Sequence, residues 1–110
     1  MWQRADKLSV EIHRVTLGFP KFENFELGGQ MRRSSGSVPD NISEGSTKGK
    51  KEFVHYLKTA RGSAKELEGQ ISRAFRFGYF SEEDRDRYLK EVLIILKMIS
   101  GVIRFLGKGD

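Results

Sequence analysis

The chain has two histidines, His13 and His55, and the second closes the run Glu52-Phe53-Val54-His55. Glu-x-x-His is the unit with which ferritin-like bundles hold paired metal ions, since residues three apart on a helix present a carboxylate and an imidazole to one ion. Such a centre takes two copies and two more inward carboxylates, and only one copy is present. At about 100° per residue, Glu52 and His55 also turn away from the apolar seam that begins at Phe53, so both are expected at the solvent face. Gly45 to Lys51, GSTKGKK, has the composition of a phosphate loop. It has one residue too few between its glycines, no Ser or Thr after the lysine, and a helical pattern before it instead of a strand. No Ser/His/Asp set has a workable spacing. Asn41 with Glu44 is too little for catalysis and is expected to tie a helix end together. The chain is therefore read as non-enzymatic, with neither cofactor nor metal.

Its remaining chemistry is positive charge. Twenty Lys and Arg against fifteen Asp and Glu give a net charge of +5 and a pI near 9.6, a balance that points toward polyanions. With Phe53 set at zero on a helical wheel, the apolar seam occupies about 60° to either side, and Lys51, Lys58, Lys65 and Arg76 gather near about 120° to 160°. Arg61 stands on their flank, close to Glu68. Glu52 and Glu66 fall on the other side. The result is a basic stripe about 35 Å long at 1.5 Å per residue, extended at its N-terminal end by Lys48 and Lys50. Arg32 and Arg33 of the preceding segment join it if the outer faces adjoin. Such a stripe suits phosphate oxygens and confers no sequence specificity; it is equally what a solvated helix face looks like. Only Tyr56 and Phe77 stand at its margins, which leaves little for base stacking.

Four amphipathic segments position these residues. Ala5, Leu8, Ile12 and Val15 alternate by three and four, predicting a first helix from Trp2 to about Thr16, stopped by Gly18 and Pro20. Phe22 and Phe25 follow in a connector expected to pack on the core edge. Leu27, Met31, Ser34, Val38 and Ile42 form the second face, from Leu27 to Gly45. Ser34 and Ser35 sit where bulk is expected and would let a neighbour approach closely. Gly28, Gly29 and Gly36 each cost about 1 kcal/mol of helix stability relative to Ala, and Pro39 removes a hydrogen bond. Because the apolar register runs through Pro39, one helix kinked there is predicted, with Gly45 as its end. After the polar loop Ser46–Lys50 come Phe53, Leu57, Ala60, Ala64, Leu67, Ile71 and Ala74, a seam sustained for about three heptads. Gly78 ends it. Ser81-Glu-Glu-Asp84 opens the last helix in the manner of a capping box with an acidic first turn. Tyr88, Val92, Ile95, Ile99, Val102 and Leu106 carry that helix, and Leu89, Leu93, Leu96 and Ile103 widen its apolar face enough for a core and a subunit interface.

The fold class predicted is all-α, one up-and-down four-helix bundle over residues 1–110. The chain lacks cysteine, which excludes disulfides and thiolate metal sites and fits a cytoplasmic setting. The N-terminus has no signal-peptide run. The longest apolar stretch, Val92–Leu106, is broken by Lys97, Ser100, Gly101 and Arg104, so no membrane span is expected.

These residues also carry a resemblance. FPKFENFELGGQMRRSSGSVPDNISEG, then KEFVHYLKTARGSAKELEGQI, then FGYF resemble the four-helix-bundle proteins encoded in intervening sequences of bacterial 23S rRNA genes. The most telling positions are Phe19-Pro20, Gln30-x-Arg32-Arg33, Ser37-Val38-Pro39-x-Asn41-Ile42-x-Glu44-Gly45, Glu52-Phe53 and Ala60-x-Gly62-Ser63. The departures are Gly28-Gly29, where the family has Thr-Ser-like residues, and Ser34-Ser35-Gly36, where it favours Ala-Ala-Val. The resemblance implies a ring-like homopentamer. It also implies kinship with accessory proteins of diversity-generating retroelements, which are basic pentameric bundles that bind a reverse transcriptase and nucleic acid. The expectation drawn is a homo-oligomer binding nucleic acid, RNA first, through Lys51, Lys58, Arg61, Lys65 and Arg76 with Arg32 and Arg33 assisting. Two alternatives stand beside it: a scaffold docking on a reverse transcriptase, and a bundle without a polyanion partner.

Overall fold

The computed structural model describes residues 1–107. Each apolar seam forms a helix: α1 (Trp2–Thr16), α2 (Leu27–Ser46), α3 (Lys50–Arg76) and α4 (Glu82–Gly107), with a short 3-10 helix, Lys21–Phe25, between α1 and α2. Each helix packs on the next and α1 closes against α4, giving an up-and-down bundle of 48 × 23 × 19 Å. From Leu57 to Ala74 every seam position of α3 is buried, with Phe53 half-buried at the start. Ile12, Met31, Leu57, Leu67, Ile71, Ile95 and Ile99 are the large side chains at the centre. Where Ala5, Ser35, Val38, Ala64 and Ile95 converge, a void of about 10 Å³ is left, at the lower limit of the space a water occupies.

The α3–α4 connection follows from two residues. Gly78 takes φ +81°; its N–H reaches the Phe75 carbonyl at 2.8 Å and the Tyr79 N–H reaches Ala74 at 3.0 Å. This is a Schellman closure, which needs a left-handed residue and so favours glycine. Ser81 Oγ accepts the Asp84 N–H at 3.1 Å and caps α4. Asp84 does not complete a capping box, because its carboxylate faces Arg87 at 3.4 Å.

Along α2 the small residues act in ways their helix propensity does not suggest. The helix continues on both sides of Pro39, which is buried. A Cβ on Gly29 would lie 2.4 Å from the Asn24 carbonyl oxygen, so the 3-10 helix can fold onto the start of α2 only over bare backbone. Gly45 does not end the helix, which runs to Ser46. It is a contact point, where an added Cβ would stand 2.6 Å from Tyr56 Cβ on α3. Ser34 Oγ donates to Gln70 Oε1 at 2.6 Å, and Ser63 Oγ to Ser37 Oγ at 2.8 Å. Asn41 Nδ2 donates back to the Ser37 carbonyl at 2.8 Å. Buried polar groups are stable only when paired, so the Ser34–Gln70 and Ser63–Ser37 bonds hold α2 and α3 in one register. Glu44 reaches across the helix end to Lys48 at 3.5 Å, which is the tying role expected of it.

The connector departs from expectation. Phe22 and Phe25 are 67% and 91% exposed and do not pack on the core edge; Phe19 and Glu23 are buried in their place. A 3-10 turn repeats every three residues, so only some of its side chains can face inward, and here Glu23 does. Its carboxylate accepts the Leu27 N–H at 3.1 Å, one of the unpaired donors that open α2. It also accepts the Tyr79 hydroxyl at 2.5 Å. The Tyr79 ring lies 4.7 Å from Phe19, tying the connector to the α3–α4 turn.

Two outcomes follow. Gly29→Ala should lower stability by about 1–3 kcal/mol through forced displacement. Gly62→Ala, on the open face of α3 with nothing within 4 Å, should raise it by about 1 kcal/mol; urea midpoints of the two variants check both signs. The hydrogen bond to Glu23 pushes the Tyr79 hydroxyl from 10.0 up to about 12. The folded state thus holds this proton more tightly than the unfolded chain. Its stabilisation is complete below pH 10 and is lost as pH rises through about 12. Urea unfolding of the parent chain and Tyr79→Phe between pH 9 and 12 should show the gap between them closing.

Candidate nucleic-acid interface

α3 lies between α2 and α4, and its two flanks differ. On the α2 flank the cleft is polar and mixed in charge: Arg33 and Glu66 face each other across Ser37, Ser63 and Gln70. On the α4 flank Arg61 and Lys65 meet Lys97 and Arg104 of α4, and these four cations rim an open groove of about 360 Å³. Leu93 and Ser100 line its floor, and no carboxylate takes part. Arg61 Nη1 lies 3.4 Å from Ser100 Oγ.

Lys51, Lys58, Lys65 and Arg76 are exposed and Arg61 is half-buried, and of the stripe Arg61 and Lys65 line this groove. Heptad spacing explains the alignment: Lys51, Lys58 and Lys65 are seven apart on α3, and Lys90, Lys97 and Arg104 are seven apart on α4. Seven residues bring a helix position back to nearly the same face, so Lys97 and Arg104 stand together on the side of α4 that meets Arg61 and Lys65. Lys97 and Arg104 escape a wheel drawn for α3 alone. Their signal was in the sequence, in the repeat of seven within α4.

Charge is segregated over the surface. Among the described residues, ion pairs join Arg4 to Glu91 at 2.6 Å and Arg87 to Glu11 and Asp84 at 3.1 and 3.4 Å. Others are local to Arg85 and to Lys48. Arg4–Glu91 and Arg87–Glu11 close α1 against α4. None of Lys51, Lys58, Arg61, Lys65, Arg76, Lys97 and Arg104 pairs with a described carboxylate.

Arg32 and Arg33 do not extend the stripe. Arg32 turns inward, Nη1 donating to Thr16 Oγ1 and Nη2 to the Asn24 carbonyl, both at 3.0 Å. It clamps the end of α1 and the connector onto α2, because a guanidinium can serve two acceptors at fixed angles. Arg33 is exposed but stands in the α2–α3 cleft with Glu66, on the far side of α3 from the groove. Glu52 and His55 are both exposed, as their angle from the seam predicts. No helix of the described residues is long and apolar enough to cross a membrane.

A family model described as 23S rRNA-intervening sequence protein matches residues 1–101. No curated protein matches the chain. A crystal structure of a protein with unknown function from the S23 ribosomal protein family of Bacteroides thetaiotaomicron is similar at 21% identity, with 94% of each chain covered and a TM-score of 0.85. At that identity the likeness is one of fold.

Proposed function

The chain belongs to the 23S rRNA-intervening sequence protein family, and from that premise we propose a non-enzymatic, homo-oligomeric nucleic-acid-binding protein with RNA as its first ligand. One observation carries this reading: the four cations of the α3–α4 groove, continued by Lys51 and Lys58, have no carboxylate partner among the described residues. Elsewhere on the same surface, between α1 and α4, arginines meet acids. Like charges crowded along one seam repel each other, and a row of phosphates relieves that repulsion while releasing its own counterions. The groove offers point charges on flexible stems and few fixed hydrogen-bond patterns, which suits a backbone and not a base sequence.

The homo-oligomer rests on α4. Arg4, two residues from the start of α1, pairs with Glu91, whereas α4 continues sixteen residues beyond Glu91 to Gly107. Most of that stretch, about 24 Å long, therefore has no α1 beside it. Ile94, Met98, Gly101 and Phe105 follow steps of four, three and four along its outer side, the spacing of a helix–helix seam. Phe105 is 76% exposed. The pentamer implied by the resemblance would cover this face and repeat the basic groove five times, so that weak contacts act together through effective concentration.

Replacing Lys58 and Lys65 together by Glu should weaken RNA binding more than tenfold at moderate salt. It should also flatten the salt dependence, by about 0.7 in slope for each single-strand phosphate that the variant no longer neutralises. Binding by the parent chain no tighter than by this variant defeats the proposal. Light scattering should give a mass several times that of the 12.6 kDa chain, and Phe105→Glu should shift it toward the monomer with helical circular dichroism unchanged.

A further inference from the structure

The basic stripe ends beside an aromatic platform. Arg76 is its last cation, and the next residue, Phe77, is 55% exposed at the C-terminus of α3. Phe77, Phe22 and Tyr79 line one open cleft of about 450 Å³ with Arg73, Glu26 and Gln30. The Phe77 and Tyr79 rings stand 5.6 Å apart and tilted by 60°. Tyr79 cannot swing away, since its hydroxyl is held by Glu23 and its backbone by the turn at Gly78. Phe25, on the same connector, is almost wholly exposed. Such rings in water have no internal reason to stay there, and the connector that carries Phe22 is fixed by the Arg32 clamp and the Glu23 bonds.

We propose that this cleft receives an unpaired base of a single-stranded RNA whose phosphates lie on the Lys58–Arg76 stripe. The inference rests on the nucleic-acid reading above and adds what that reading lacks, a preference for single strands. The base stacks on the exposed rings of the cleft, Phe22 and Phe77, because every base has a π-face that an exposed ring can cover. Arg73 meets the adjoining phosphate. Glu26 and Gln30 at the rim accept hydrogen bonds, and a carboxylate accepts from an exocyclic amino group, so adenine and cytosine are favoured over uracil. Within the cleft Arg73 stands with Glu23 and Glu26, so the polyanion is drawn by the exposed Arg76 and the stripe beyond it, outside the lining.

The test uses the full chain with three probes: a twelve-residue oligo(A), a twelve-residue oligo(U), and a blunt RNA duplex of matched charge. The parent chain should prefer oligo(A) to oligo(U). Phe22→Ala with Phe77→Ala, both at the surface, should keep the parent's melting temperature and lose about five- to hundredfold in oligo(A) affinity, the range expected for one stacked base. Its duplex affinity should not change, whereas Lys58→Glu with Lys65→Glu should weaken all three probes. If the phenylalanine variant binds oligo(A) as the parent does, or weakens equally toward duplex and single strand, the stacking site is wrong while the basic groove stands. If the parent binds an apolar peptide and no RNA, both readings fall.

Discussion

The neighbours of α2 approach its backbone more closely than a side chain would allow, and the placement of every other helix depends on this. At Gly29 a carbonyl of the connector occupies the space of a Cβ, and at Gly45 the side chain of Tyr56 does. Between these points Ser34 and Ser37 replace apolar bulk with hydrogen bonds to Gln70 and Ser63. A thin helix held at both ends and keyed in the middle leaves α3 one seating. That seating turns one flank of α3 onto α2 and presents the other, with its cations, to α4. A bulkier α2 would push α3 outward and rotate the stripe away from Lys97 and Arg104.

Helix boundaries and buried seams were legible because period and length are properties of one segment at a time. The α3 seam from Leu57 to Ala74 is buried at every expected position, and Ser81 caps α4 as its type and place suggest. Features that depend on two segments were harder. Gly28, Gly29 and Gly45 read as weak helix formers or stops when α2 is considered alone; their reason lies in what stands opposite. Arg32 read as an outward cation because a wheel shows direction but not reach, and a guanidinium stem is long enough to fold back to Thr16 and Asn24. Phe22 and Phe25 read as packing on the core edge because they are large and apolar, while the buried member of that turn is a glutamate.

The same division applies to the candidate site. Half of the groove, Arg61 and Lys65, came from the most regular helix in the chain. The other half lies on α4, where Lys97 and Arg104 first count as interruptions of an apolar run. Their charge helps keep the run from being apolar enough to cross a membrane, and it is also what completes the groove.

The four helices differ in length, fifteen and twenty residues for the first two against twenty-seven and twenty-six for the last two. The bundle is therefore thick at the end where Phe19, Tyr79 and Glu23 lock together and thin where α3 and α4 run past α1. Apolar cover per residue falls along the molecule, and local opening should cost least at the thin end. Where copies of the chain cover that end, cover comes from mass action, so the stability of the last turns of α4 rises with protein concentration while that of the locked end does not. In the proposed oligomer those last turns of α4 are the part of the fold whose stability answers to dilution.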